Sequence, residues 1–208
     1  IEVMARKTKA EAEKTRQCIL KAALRLFVEK GYDRTTFEDV ARHIGLTKGA
    51  VYWHFKSKPD LLAELVVLMT ERHTTQLTHT IPHPASLDTP EALTENFVLR
   101  ARLIVSSPAS RRFFLMTRRL DWASPKLTPV RQRIRRLADT PHVVICSALK
   151  DMQRTGAIRA DADLAAVSSV LMMIWLGLLE QEISNGLGTD LDGALRFGFQ
   201  AILNGVTH

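Results

Sequence analysis

Only two of the 208 residues are cysteine, Cys18 and Cys146, far apart and with no partner pattern. That excludes a disulfide framework and a cysteine-based zinc site, and it suits a reducing cytoplasm. Aromatic residues make up only 6 % of the chain. No segment alternates apolar and polar residues as a strand ladder would, and the abundance of Ala, Leu, Arg and Glu favours helices. No GxSxG, P-loop, Rossmann glycine pattern or HExxH occurs, and Ser and His are scattered, so no enzyme signature and no cofactor site is legible. The first seventeen residues are polar and charged, without the apolar stretch of a secretory leader. The most apolar run, 164–179, stops at Glu180. It falls short of the roughly 18–20 residues that span a bilayer, so we expect a buried helix and no membrane partner.

What is present is positive charge, unevenly spread. The net charge is +7. Residues 1–60 hold 13 Lys/Arg against 8 Asp/Glu, whereas 61–208 hold 16 against 14. A basic head on a nearly neutral body points to a polyanion as partner.

Pro and Gly divide the chain into helix-sized pieces. From Ala10 to Lys30, Leu20, Ala23, Leu24 and Phe27 fall on one helical stripe, with Gly31 placed as a C-terminal cap. Thr35 with Glu38, or Thr36 with Asp39, makes a capping-box start for a short helix through Val40, Ala41 and Ile44, ending at Gly45. Thr47 can cap a third short helix, Lys48 to Phe55. Ser57, Pro59 and Asp60 open a longer one from Lys58 to near Leu77. The segment 79–90, with three prolines, is a loop. Further helices are expected near 91–106, 109–121, 127–155, 161–185 and 190–206, with Pro141 kinking or splitting the third of these.

Two short helices joined at Gly45-Leu46-Thr47 make a helix-turn-helix candidate, whose second helix would read DNA. In that motif the N-terminal residues of the second helix meet base edges in the major groove. Gly49 and Ala50 are small enough for close approach, and Lys48 can reach a guanine edge or a phosphate. Tyr52 and His54 carry polar tips suited to phosphate oxygens, with Lys56 and Lys58 following. Val51 and Phe55, four apart, would lock the helix to a core. Trp53 is open to either packing or contact.

The run Lys30-Gly-Tyr, Thr35-Thr-Phe, Val40-Ala, Ile44-Gly-Leu and Lys48-Gly-Ala-Val-Tyr-Trp-His-Phe-Lys-Ser-Lys-Pro-Asp-Leu-Leu resembles the N-terminal domain of the tetracycline-repressor (TetR) family. Met4-Ala-Arg-Lys-Thr-Lys together with Gly49–Lys56 resembles the AcrR-like repressors of multidrug efflux pumps. The resemblance covers roughly the first 70 residues. It implies an all-α fold: a three-helix DNA-binding domain over 4–57 and a helical ligand-binding and dimerisation domain over 58–208. It implies DNA contacts from Thr36, Thr47, Lys48, Gly49, Ala50, Tyr52, Trp53, His54 and Lys58, with double-stranded operator DNA as partner. A metabolic or metal-related operon is the alternative target.

The last two helices are apolar enough to bury more than one face. Leu164, Val167, Leu171, Ile174 and Leu178 form one stripe, and Val170, Met173 and Leu176 a second. Leu191, Leu195, Phe199, Ile202 and Val206 line the final helix. The resemblance implies a homodimer through these helices, with half-sites about 34–36 Å apart; a monomer whose last helices only complete its own core is the alternative. It also implies a pocket for a small apolar or amphipathic effector. Phe97, Phe114, Met116, Trp122, Met172 and Trp175, with Phe113 and Met173, are the adaptable side chains that would line it, or equally plain core. The arginines at 111–112, 118–119 and 131–136 read as a solvated helix surface, with an anionic ligand as the alternative. His73, His79 and His83 are the residues a metal-sensor reading would use. A structural interaction protein that used the helix-turn-helix only for packing would show no salt-dependent DNA affinity.

Overall fold

The computed structural model describes residues 2–80, 87–137, 140–186 and 190–207; Pro82, His83 and Pro84 of the expected loop lie outside them. The described residues form α1 (Glu2–Lys30), α2 (Phe37–His43), α3 (Lys48–His54), α4 (Lys58–Thr80), α5 (Pro90–Ser106), α6 (Pro108–Arg118), α7 (Thr128–Ile134), α8 (Pro141–Thr155), α9 (Leu164–Asn185) and α10 (Leu191–Asn204). A single 3-10 turn, Pro125–Leu127, precedes α7, and no strand occurs among the described residues.

The chain divides into two compact units: Ile1–Met69 with Arg112–Arg136, and Thr70–Arg111 with Leu137–His208. The first unit has the expected core, with Ile19, Leu20, Ala23, Phe27, Val40, Val51, Phe55, Leu61, Leu62 and Leu65 buried together. Each such Ile, Leu, Val or Phe side chain contributes about 1.5–3 kcal/mol through burial. Met116, Leu127 and Val130 join the same core from far along the chain.

The second unit packs α9 on α10, α5 and α8, and α10 on α5. Its centre is aromatic. The Phe97 ring lies 5.5 Å from that of Trp175, nearly perpendicular, and 5.4 Å from that of Phe199. The Trp175 Nε1–H donates to the Phe97 carbonyl at 3.1 Å, which satisfies the buried indole. Arg196 and Arg102 of α10 and α5 pair across with Glu95 and Asp192. Arg196 holds the Glu95 carboxyl below its usual range, although such exposed pairs contribute little to stability.

The long segment 127–155 is split, as Pro141 requires. Proline takes the first turn of α8, where its missing N–H has no intrahelical acceptor to lose. The Thr140 side chain caps the helix by accepting from the Val143 N–H, and Gly156 at φ 82° ends it. The reading of 164–179 as too short for a bilayer is corrected. The helix continues to Asn185, 22 residues, long and apolar enough to cross a membrane by length and composition, with 28 % of its apolar window buried within this chain. Its buried face is Val167, Leu171, Trp175 and Leu179. The expected stripe through Ile174 and Leu178 is only half-buried, because α5, α8 and α10 pack against a face turned toward the indole instead.

Candidate nucleic-acid interface

The turn between α1 and α2 is fixed by competing hydroxyls. Thr35 is buried and its Oγ1 donates to the carbonyls of Gly31 and Leu26, at 2.8 and 3.2 Å. The capping box therefore falls to Thr36. Its Oγ1 accepts from the Asp39 N–H at 3.1 Å and its own N–H donates to Asp39 Oδ2 at 3.0 Å. Lys30 also bonds Asp39, at 2.9 Å, and with Thr36 holds that carboxyl far below its usual range. At the far end of α2, the Leu46 N–H returns to the Ala41 carbonyl at 2.9 Å around Gly45, at φ 69°. A Cβ there would meet nothing within 4 Å, so the left-handed backbone alone calls for glycine.

That turn delivers α3. The Thr47 Oγ1 accepts from the Ala50 N–H at 3.2 Å. Val51 is the buried residue of α3 and Phe55 follows it into the core, 0 % and 1 % exposed. The opposite face looks outward. Lys48 and Gly49 are exposed, as are Tyr52 and Trp53, at 51 % and 75 %. Tyr52 stands edge-on to Phe37, centroids 4.9 Å apart, and the Lys48 Nζ lies 5.9 Å over the Tyr52 ring. Trp53 is thus not core; it rests against the His54 ring at 4.6 Å. Burial, then the nearby Arg16, lowers the His54 pKa, so at neutral pH it offers a neutral hydrogen-bonding ring.

Gly49 has no reason within the chain. A Cβ there would meet only Thr47 Oγ1, at 3.8 Å. Glycine in a helix costs about 1 kcal/mol relative to alanine, and packing within the chain does not account for it.

Lys58 is engaged by the chain itself. Its Nζ donates to the carbonyls of Tyr32, Asp33 and Thr35 at 2.8, 3.0 and 3.1 Å and lies 4.5 Å over the Tyr32 ring. Desolvation lowers its pKa, while burial pushes the Tyr32 phenol up to about 12. The ammonium therefore pins the entry to α2. Lys58→Met is expected to destabilise the protein by about 1.5–3 kcal/mol, the scale of hydrogen bonds to a charged group; a urea midpoint equal to wild type would refute that role.

A second polar device was missed in sequence. Glu64 on α4 accepts from Arg16 of α1 and from Arg133 of α7. Arg133 also reaches Asp60 at 3.9 Å, and the Arg16 guanidinium sits 5.4 Å over the Phe55 ring. Arg131 donates to the Trp122 and Ser124 carbonyls. The 131–136 arginines are thus not simply a solvated surface. Charge alternation is visible in a sequence; which distant carboxylate a given arginine meets is not.

The effector candidates separate. Phe97 and Trp175 are buried together in the second unit, with Met172 half-buried on α9. Met116 belongs to the first unit's core and Trp122 packs against it, its Nε1 donating to the Thr117 carbonyl at 2.8 Å; Phe114 is buried in the same unit's segment. Within the second unit a cavity of about 40 Å³ is lined by Thr70, His73, Arg100, Ile104, Pro141 and Trp175. Of the three histidines, His73 bonds Ser110 Oγ at 2.8 Å, His79 is exposed and His83 lies outside the described residues. Among the described residues no group of three or more His, Cys, Asp or Glu is placed to hold a metal.

Residues 19–65 match the model of bacterial regulatory proteins of the tetR family. The HTH-type transcriptional regulator AcrR of Shigella flexneri is 55 % identical over 62 residues, 30 % of this chain and 29 % of that protein. That aligned stretch spans under a third of the relative. Over nearly the whole length, the HTH-type transcriptional repressor BepR of Brucella suis biovar 1 is 25 % identical, covering 89 % of this chain and 88 % of its own. Among solved structures, a SmeT–triclosan complex superposes with a TM-score of 0.73 at 27 % identity, over 94 % of this chain and 92 % of that one.

Proposed function

The chain belongs to the TetR family of bacterial regulatory proteins, and from that premise we propose that it is a cytoplasmic, ligand-responsive repressor that binds palindromic operator DNA as a homodimer and controls a multidrug-efflux operon. The observation that carries the reading is the outward face of α3, where Lys48, Gly49, Tyr52 and Trp53 stand exposed while Val51 and Phe55 hold the helix from behind. A lysine, a glycine with no packing reason and two exposed aromatics are costly ornaments for a surface that meets only water. Residues 4–57 would read DNA, with Thr36, Thr47, Ala50 and His54 flanking the contact face and Lys58 setting the approach of α2. Residues 58–208 would take the effector and a second copy.

In this reading α9 and α10 of two copies form the dimer, so that two α3 helices meet half-sites about one turn of duplex apart. An effector that favours a wrongly spaced state by about 1.4–3 kcal/mol would release DNA ten- to hundredfold. The likeness to the triclosan-bound structure supports a small drug-like effector, and the efflux operon rests on the AcrR-like resemblance of the N-terminal residues.

The test is selection of bound sequences from a randomised duplex library at near-physiological salt. A palindrome with half-sites about one turn apart is the expected product; no enriched sequence would count against the reading. On the selected site, Lys48→Ala and Tyr52→Phe should each weaken binding by about 1–3 kcal/mol without unfolding the protein. Gly49→Ala should leave the fold as stable or up to about 1 kcal/mol more so, yet bind DNA less well. Retained wild-type affinity in all three would sink the assignment of α3.

A further inference from the structure

The first unit holds a cavity of about 230 Å³ where the α1–α2 turn meets the loop that follows α6. Tyr32 and Asp33 line it from the turn, and Asp121, Ser124 and Lys126 from the loop, with Leu120 and Leu127 as its apolar wall. Both sides are held firmly. The Lys58 ammonium clamps the Tyr32 and Asp33 carbonyls. In the loop the Ser124 N–H donates to the Asp121 carbonyl and the Leu127 N–H to the Ser124 carbonyl, each at 3.0 Å, while Asp121 Oδ1 accepts from the Ala123 N–H at 3.1 Å. A site ordered in advance spares a ligand the cost of ordering it. Tyr32 is only 8 % exposed, yet among the described residues its hydroxyl has no hydrogen-bond partner. A buried hydroxyl left unmet is costly. Burial pushes the phenol up to about 12, so at neutral pH it stays a donor. Among the described residues neither Asp33 nor Lys126 forms an ion pair, although both lie within electrostatic reach of Lys58.

We propose that this cavity is a second small-molecule site and that it takes a small aliphatic α-amino acid in its zwitterionic form. Two carboxylates, one ammonium and two hydroxyls line one space. A simple carboxylic acid would meet Asp33 and Asp121, and a simple amine would leave Lys126 and the Tyr32 hydroxyl unanswered. A zwitterion meets both sets. Its ammonium pairs with Asp33 and with the Asp121 Oδ2, which the Ala123 N–H leaves open. Its carboxylate accepts from the Lys126 ammonium and from the Tyr32 and Ser124 hydroxyls. Leu120 and Leu127 offer apolar surface to the side chain. A single ion pair near solvent is weak, so selectivity comes from answering both charges in one molecule. The volume agrees. One water occupies about 30 Å³ in the liquid, so the space suits a solute of about seven to nine non-hydrogen atoms. An occupant would join the 120–127 loop to the turn from which α2 starts, the turn that Lys58 already holds.

The experiment is calorimetric titration of the full-length protein with three probes that share one side chain: L-leucine, isopentylamine, which lacks the carboxylate, and isocaproate, which lacks the ammonium. Leucine is expected to bind about ten- to hundredfold more tightly than either, the worth of one set of charge-assisted hydrogen bonds. Lys126→Gln should erase the advantage of leucine over the amine, and Asp121→Asn its advantage over the acid. Both residues are exposed, and asparagine can still accept from the Ala123 N–H, so both variants should fold. Tyr32→Phe keeps the ring under Lys58 and should weaken leucine by about tenfold. No heat with leucine, or equal binding of the three probes, overturns the proposal. So does a wild-type ranking retained in both charge variants, which would place leucine elsewhere on the protein. No DNA takes part, so the outcome is separate from that of the operator selection.

Discussion

If α9 and α10 form the proposed dimer, Phe197→Asp is expected to leave a monomer and to cost about 10²- to 10⁴-fold in operator affinity, the factor by which joining two binding heads exceeds one. Phe197 stands 78 % exposed on α10 and Met173 65 % exposed on α9. Between them runs a cleft of about 660 Å³ lined by Ile174, Gly177, Leu178, Ala194 and Gly198 as well. Apolar surface left in water forgoes about 25 cal/mol per Å², and the apolar window of α9 has only 28 % of itself buried in the chain. A bilayer would cover it, but Val167, Leu171, Trp175 and Leu179 already bury the other side of α9 among α5, α8 and α10. In the proposed dimer, a second copy covers the face of α9 that this layer leaves open. The glycines separate the two roles. At Gly198 a Cβ would come within 2.9 Å of the Ile174 Cγ2, so α9 and α10 of one chain need that glycine. At Gly177 a Cβ would meet nothing within 4 Å, so packing within the chain does not call for that glycine. In a two-fold interface each substitution occurs twice, so Phe197→Asp places two carboxylates in one apolar contact. Light scattering should report a monomer with unchanged helix content, while Phe197→Leu stays dimeric. A dimeric Phe197→Asp would show that this face is not the interface.

Much of the head was legible in sequence because its signals are local. Thr36 to Asp39, Gly45 to Thr47, and Val51 with Phe55 each act within a turn or two of helix, where spacing and side-chain chemistry nearly determine the outcome. Pro141 was legible for the same reason: the split it forces depends on one missing N–H. What could not be read is whatever depends on distant partners. Lys58 carries a charge that suits phosphate, and only the fold brings the Tyr32, Asp33 and Thr35 carbonyls around it. Met116 and Trp122 are as apolar as any pocket-lining pair, and only the packing of the 112–136 segment sends them into the head's core. On α9 nearly every position is apolar, so periodicity had no contrast from which to select the buried face. Arg100 shows the same limit in reverse, since an arginine in an amphipathic helix reads as surface until its burial is known.

His73 yields the largest pH effect expected in the physiological range. Its ring is mostly buried, and desolvation, then Arg100 and Arg72, lower its pKa from 6.5 to about 4. Between those values the unfolded chain binds a proton that the folded chain refuses. Stability contributed by the neutral ring is therefore complete above about 6.5 and drains away as the pH falls toward 4. Over the step from pH 7 to pH 5 the linkage amounts to about 2 kcal/mol. Carboxylates do not obscure that step. Asp39, Glu29 and Glu95 are lowered from already acidic values by their cationic or hydroxyl partners, so their contributions are lost only at lower pH. His54 is lowered too and contributes in the same direction, but it is present in both proteins of the comparison. His73→Gln keeps a side chain able to bond Ser110 and removes the titration. In urea unfolding at pH 7 and pH 5, the wild type should lose about 2 kcal/mol more between the two than the variant does. Equal losses would mean that His73 is protonated in the folded protein at little cost. The wall of the 40 Å³ cavity would then carry a second positive charge beside Arg100.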